Sequence, residues 1–287
     1  MRLITYFHDG KNHVGALTRA GRVLPLPYPD MNTLIETAAL PALRSAAEAA
    51  ERSGASLPLA EVTLLAPIPT PRQDIVCLGM NYLEHAREAA QYNDDAFRKE
   101  QHVAVYFSKR VSEAVAPEGD IQSHSDFVRR LDYEAELGVI LGKTARRVKA
   151  GEAADYIFGY TVLNDVSARD IQTGHKQWYF GKGLDGFTPM GPCIVTADEI
   201  AYPPALDISS RVNGELRQQS NTALLITTIA DALAELTAGM TLLPGTIIAT
   251  GTPAGVGMGF DPPKFLKPGD VVECTIQGIG TLRNTVR

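Results

Sequence analysis

A chain of 287 residues, 45% hydrophobic and 21% charged, has the make-up of a globular protein with one large domain or one domain plus a small appendage. A formal net charge of −6 offers no basic footprint for nucleic acid, so an anionic substrate would need a local cation and a few nearby Lys or Arg. The opening residues lack a signal-peptide apolar core, and the most apolar stretch, Leu224 to Thr250, is interrupted by Asp231, Glu235, Gly239, Pro244 and Gly245, which excludes an unbroken membrane span.

In chain order, short strand-like runs come first: Leu3–Phe7, the Asp9-Gly10 turn, Val14–Thr18, the Gly21 turn and Val23–Pro25. A helical stretch follows, with Asn32 as its expected cap and an alanine-rich run from Ala42 to Ala50 that ends at Gly54. Pro58, Pro67, Pro69 and Pro71 then make a stiff connection, which places a boundary near residue 66 between a small N-terminal domain (1–66) and a main domain (67–287).

Past that boundary the expected strands are Ile75–Leu78, Val103–Phe107, Ala135–Leu141, Ile157–Leu163, Cys193–Thr196, Ile208–Val212, Thr246–Thr250 and Val271–Ile276. Asn213-Gly214 predicts a two-residue hairpin turn leading into Glu215–Gln218. Helices are expected near Leu83–Gln91 and Thr228–Ala238. Strands joined mostly by turns, with few helices, predict a β-rich α+β fold and not a doubly wound one. Cys77, Cys193 and Cys274 are far apart and odd in number, which suits buried structural thiols in a reducing cytoplasm.

Glu134 and Glu136 are alternate residues of a strand-like run, so both carboxylates project to one side. Joined by Asp165 at the end of the next apolar strand, they would form an oxygen-rich site for Mg2+, Mn2+ or Ca2+. A solvated strand face is the plainer reading of the pair, and Asp165 also reads as a helix cap, with Ser167 and Asp170 as a rival capping pair. Arg169 and Gln172, four and seven residues past Asp165, share a helix face suited to a substrate carboxylate; an ion pair of Arg169 with Asp165 or Asp170 fits the spacing equally. His85 and Glu88 are helix neighbours that suit a general base, or else an exposed polar face. His175 lies close to this segment without an assigned role, while His8, His13, His102 and His124 stand among polar turns.

Lys182, flanked by Gly181 and Gly183, supplies a point charge near a close-approaching backbone, or simply a surface turn. The glycine-rich run from Thr250 to Gly259 opens no helix, which argues against a phosphate cradle. It suits a turn offering the Thr252 hydroxyl and backbone N–H groups to a carboxylate.

In order, these segments resemble the fumarylacetoacetate hydrolase superfamily. The pieces that carry the likeness are Asn81-Tyr82 through His85 and Glu88, Asp132-Tyr133-Glu134-Ala135-Glu136-Leu137-Gly138, Gly159-Tyr160 through Asn164-Asp165-Val166-Ser167-Ala168-Arg169-Asp170, Gly181-Lys182, and Thr250-Gly251-Thr252-Pro253-Ala254-Gly255-Val256-Gly257. The resemblance covers the chain from about residue 70 onward. It implies a roll of mixed β-sheets with a small N-terminal α/β appendage, usually a homodimer. It implies Mg2+ or Mn2+ on Glu134, Glu136 and Asp165, and His85 with Glu88 as a water-activating pair on a mobile lid. Lys182 would stabilise developing negative charge, and Tyr82, Arg169, Gln172, Gly251 and Thr252 would meet the substrate.

Two departures narrow the type. Leu78-Gly79-Met80-Asn81 offers no carboxylate where the longer fumarylacetoacetate-cleaving enzymes carry an extra liganding Asp, and Arg110 follows Lys109 where many relatives have proline. Both point to the smaller bacterial-type enzymes that act on 2-oxo acids. The chemistry so implied is C–C cleavage of a short anionic 2-oxo acid through a pyruvate-type enolate, with acylpyruvate hydrolysis first. Oxaloacetate-type decarboxylation and isomerisation of an unsaturated dioic acid are alternatives on the same site, and a non-catalytic binder of metal and carboxylate is an alternative of another class. The far end of the substrate would be set by lid residues from Gln91 to Lys99.

Overall fold

The computed structural model describes residues 1–90 and 103–287; the segment from Gln91 to Lys99 expected to form the lid lies outside them, as does His102. The N-terminal part is a meander of β1 (Arg2–His8), β2 (Lys11–Leu17) and β3 (Arg22–Pro25), then α1 (Met31–Thr37), α2 (Leu40–Arg52), and the short β4 (Leu57–Pro58) and β5 (Thr63–Leu64). Asp30, not Asn32, caps α1: its side chain accepts from the Thr33 N–H at 2.7 Å. Asn32 instead donates to the Thr70 carbonyl at 3.0 Å, tying α1 to the proline-rich connection.

The remainder contributes β6 (Ile75–Gly79), α3 (Leu83–Ala90), β7 (Val105–Lys109), β8 (Asp120–Ile121), β9 (Leu131–Asp132), β10 (Ala135–Leu141) and β11 (Ile157–Asn164). After these come β12 (Ser167–Ala168), α4 (Arg169–Gly174), α5 (Tyr179–Lys182), β13 (Met190–Thr196), β14 (Asp207–Val212), β15 (Glu215–Asn221), α6 (Ile229–Gly239), β16 (Ile247–Ala249), β17 (Val271–Ile276) and β18 (Gly280–Val286).

The large sheet runs β4-β3-β2-β1-β13-β11-β10-β16-β6-β7, with β5 also paired to β1. The strands before residue 66 are joined to those after it by the antiparallel β1–β13 ladder. A second sheet runs β15-β14-β17-β18-β8, and β9 pairs with β12. Pairing is antiparallel except for β16–β6 and β18–β8, so the sheets are mixed, as the β-rich α+β reading requires. Asn213 and Gly214 take φ values of 52° and 81° between β14 and β15, the left-handed pair of a two-residue hairpin turn.

β10 and β11 are buried at every position, which fits their nearly continuous apolar runs. Leu137, Val139 and Leu141 join Tyr160 and Val162 in a core shared with β14, β17 and β18, while Ile140, Phe158 and Leu163 face a second core under α1 and α2. The centre of the sheet is therefore sandwiched between the two cores. β13 starts three residues earlier than expected, taking in Pro192, because the β11–β13 register shifts near this position and the β1 ladder begins only at Ile194. No helix among the described residues is long and apolar enough to cross a membrane.

Candidate active site

The ends of β10 and β11 place Glu136 and Asp165 beside each other. The sequence places Glu134 on a strand with Glu136, but it stands in the link between β9 and β10. Its N–H donates to Asn164 Oδ1 at 3.0 Å and its carbonyl accepts from the Asp165 N–H at 2.8 Å. These bonds lock the two segments together, and carboxylate oxygens of Glu134, Glu136 and Asp165 lie within 4.8 Å of one another, all buried. Among the described residues this is the one such grouping of His, Cys, Asp or Glu.

Asp165 caps no helix: α4 starts after Ala168 with no side-chain cap, and Asp170 accepts from the Arg129 N–H at 2.8 Å. Burial pushes the Glu136 carboxyl well up, and the charges of Asp165 and Glu134 push it further, while the Gly251 N–H at 2.9 Å from Oε2 opposes them. Burial also disfavours the charge of Glu134, yet the Lys182 ammonium and the Arg169 guanidinium outweigh it and bring that carboxyl down to about 2.

The cations are part of the same cluster. Lys182 Nζ donates to Glu134 Oε2 and Asp165 Oδ2, each at 2.7 Å. It belongs to the short helix α5 and not to a surface turn; a Cβ on Gly181 would lie 2.5 Å from the Gln172 backbone nitrogen, so only glycine lets α5 sit this close to α4. Arg169 pairs with neither Asp165 nor Asp170. Its Nε donates to Asp132 Oδ2 at 2.8 Å, and its Nη1 lies 2.7 Å from Glu134 Oε1 and 3.0 Å from Gln172 Oε1. Its Nη2 has no hydrogen-bond partner among the described residues.

Lys109 was not singled out as a site residue by the sequence. It is buried, with Nζ donating to the carbonyls of Val166 (3.1 Å) and Lys182 (2.5 Å) and standing 2.7 Å from Asp165 Oδ1. That last contact is an ion pair without hydrogen-bond alignment, so Asp165 Oδ1 keeps a lone pair uncommitted. Three buried carboxylates, one of them held against its own charge and one with an orphaned oxygen, suit a hard divalent cation such as Mg2+ or Mn2+, and Ca2+ prefers the same donors.

Opposite the carboxylates, His85 Nδ1 lies 3.0 Å from Glu88 Oε2, and the Gly255 N–H donates to Glu88 Oε1 at 3.1 Å. The expected helix pair is thus present and largely buried, not an exposed polar face. The carboxylate favours a proton on Nδ1, leaving Nε2 as the acceptor. The chain reverses just before this helix at Met80, whose φ of 53° is a strained value for a long side chain.

Of the sequence-predicted residues, His85, Glu88, Glu134, Glu136, Arg169, Gln172, Lys182 and Thr252 line one cavity of about 450 Å3. His175 lines it too, with Lys176 and the single tryptophan, Trp178. Tyr82, Gly251 and Asp165 stand behind this wall. Tyr82 is buried with its hydroxyl unpartnered among the described residues, and burial followed by the Glu136 charge raises its pKa. The Thr252 hydroxyl donates to the Ala135 carbonyl (2.9 Å) and accepts from Gln218 Nε2 (2.7 Å). With the Gly251 N–H on Glu136, the glycine-rich turn thus directs donors at the cluster's own framework. His13 lies within β2, stacked on Tyr6 at 5.3 Å, and not in a turn; His8 ends β1, and His124 contacts the Asp185 carbonyl.

The fumarylacetoacetate (FAA) hydrolase C-terminal family model matches residues 74–287. The chain is 46% identical over 229 residues to oxaloacetate tautomerase YisK of Bacillus subtilis (strain 168), covering 79% of this chain and 74% of that protein. A fumarylacetoacetate hydrolase from Exiguobacterium antarcticum superposes with a TM-score of 0.85 at 37% identity, covering 100% of this chain and 99% of the other. A maleylpyruvate hydrolase from Sphingobium sp. SYK-6 superposes at 0.80 with 32% identity, over 100% and 99% of the two chains.

Proposed function

Because the chain belongs to the fumarylacetoacetate hydrolase family, we propose that it interconverts the keto and enol forms of a short 2-oxo dicarboxylic acid of the oxaloacetate kind. The observation that carries this reading is the convergence on one cavity of the carboxylate cluster, the Lys182 ammonium and the His85–Glu88 pair. The 46% identity to an oxaloacetate tautomerase supports the reaction type. It moves enolisation ahead of the acylpyruvate hydrolysis that the sequence put first.

Glu134, Glu136 and Asp165 would hold a divalent cation, which would supply Lewis-acid polarisation of the substrate's 2-oxo group. The protein does the rest. His85 Nε2, with Nδ1–H held by Glu88, accepts a proton from C3; the C–H pair becomes the C2–C3 double bond and the 2-oxo oxygen takes up charge. Lys182 has donors committed to Glu134 and Asp165 and a third for that oxygen, where charge develops. Arg169 Nη2 and the Gln172 amide, whose Oε1 is occupied by Arg169, offer N–H groups to the substrate carboxylate. Transfer of that proton from His85 Nε2 to the oxygen completes the enol and restores the neutral imidazole, and the reverse sequence returns the keto acid.

Hydrolysis of an acylpyruvate is the second reading, favoured by a histidine–carboxylate pair that suits water activation and by similarity to a maleylpyruvate hydrolase. Both readings share the enolate. Incubation with oxaloacetate, acylpyruvates and unsaturated 2-oxo dioic acids, with Mg2+ or Mn2+, separates them. Faster equilibration of oxaloacetate enol without loss of carbon supports the first, and acylpyruvate cleavage as the dominant turnover replaces it with the second.

A further inference from the structure

We propose that Asp132 is a positioning residue that couples the carboxylate cluster to the His85–Glu88 pair. Asp132 is 0% exposed and is not among the residues lining the cavity, so its effect has to pass through other groups. Its carboxylate accepts four hydrogen bonds: Oδ1 from the N–H groups of Tyr133 (2.9 Å) and Gly257 (2.6 Å), Oδ2 from Arg169 Nε (2.8 Å) and the Met258 N–H (3.0 Å). An ionised carboxylate has about four lone-pair positions, and here each one has a donor.

Two branches leave this one side chain. The first runs through Arg169, whose Nη1 lies 2.7 Å from Glu134 Oε1. Asp132 thereby takes a share of the guanidinium charge. Without that share the whole charge would fall on Glu134, turning its oxygen away from the other two carboxylates and repelling an incoming cation. The second branch runs through the turn at Gly257-Met258. The same turn carries Gly255, whose N–H holds Glu88, and Gly259, whose Cα backs onto the Glu88 carboxylate. Among the described residues, Asp132 is the one bonded both to the arginine of the first branch and to the turn of the second. A purely structural buried ion pair would hold Arg169 and have no need of the turn.

The test uses Asp132→Asn in the full chain, because the amide keeps the size and one acceptor oxygen but not the charge. Two readouts are independent of turnover: Mn2+ affinity by calorimetry, and the downfield Nδ1–H proton resonance of His85, assigned by its absence in His85→Gln. The coupling predicts that Mn2+ binding weakens about tenfold or more and that the His85 resonance shifts or broadens in the same variant. Arg169→Lys, which disturbs the first branch alone, is expected to weaken Mn2+ binding with the His85 resonance in place. A folded Asp132→Asn protein that keeps either property unchanged overturns the proposal. If that variant does not fold, Asp132→Glu keeps the charge for Arg169 while displacing the turn. An altered His85 resonance with Mn2+ affinity retained then supports the coupling, and an unaltered resonance overturns it.

Discussion

Lys182 Nζ bridges Glu134 and Asp165, 2.7 Å from one oxygen of each. Burial works against its charge, yet Asp165 and Glu134 together raise its pKa, so it stays an ammonium. Lys182→Met would leave two buried carboxylates without their shared counter-ion, and losing one partner of a buried pair costs about 3–5 kcal/mol. We expect a lower melting temperature in chelator, a larger rise on adding Mn2+ than the wild type shows, and turnover reduced about 10²-fold or more. Thermal unfolding with EDTA and with Mn2+ measures the first two; an unchanged melting temperature in EDTA would contradict the bridging role.

Glu136 is destabilised in its charged form by burial, then by Asp165 and Glu134. Glu136→Gln removes that cost together with a ligand. The cation-free variant should be at least as stable as wild type, while the gain from Mn2+, about 2.7 kcal/mol at a hundredfold excess over Kd in the wild type, should largely vanish. Denaturant unfolding with and without Mn2+ checks both signs.

A Cβ on Gly259 would lie 1.8 Å from Glu88 Oε1. Gly259→Ala therefore has to displace Glu88 and release His85 from its carboxylate. Since a placed acid–base group contributes about 10²–10⁴-fold, kcat should fall at least tenfold while Mn2+ affinity holds. Normal kcat would mean that the pair is not working as a base.

The three cysteines are free and buried. Burial pushes the Cys193 thiol up to about 11 and raises those of Cys77 and Cys274 as well. Native protein near pH 8 should resist a disulfide-exchange reagent, and denatured protein should react at all three positions. An unfolded thiol loses its proton near pH 8.5 while the folded one keeps it, so stability should fall as pH rises above that point. The slope is about 1.4 kcal/mol per pH unit for each such thiol. Urea midpoints between pH 8 and 10 test the sign.

Much of this site could be read along the chain. Glu134, Glu136 and Asp165 each close or flank a strongly apolar run, and His85 and Glu88 sit one helical turn apart, so local spacing offered them as candidates, while the family resemblance and not periodicity singled them out from a solvated strand face, a helix cap and an exposed polar face. Lys109 and Asp132 were not legible as site residues, because their meaning lies in partners such as Asp165 and Gly257 that only the fold brings near. Gln218 is similar: from within β15 its side chain bonds the Ala135 N–H (3.1 Å), Ser210, Thr252 and the Pro253 carbonyl. The cap of α1 was misplaced because a residue distant in sequence intervenes. Asp30 and Asn32 are both good caps, and the competing bond from Asn32 to Thr70 decides between them.

Solvent exchange at C3 of oxaloacetate tests the central claim most directly, since enolisation must break that C–H bond. In D2O with Mn2+, followed by proton NMR against an enzyme-free Mn2+ control, the wild-type protein should speed deuterium incorporation well above the control. Glu134→Gln, verified as folded, should fall back to the control rate. Equal exchange in the two proteins, or none above the control in the wild type, would contradict a carboxylate-held cation acting on the enolate.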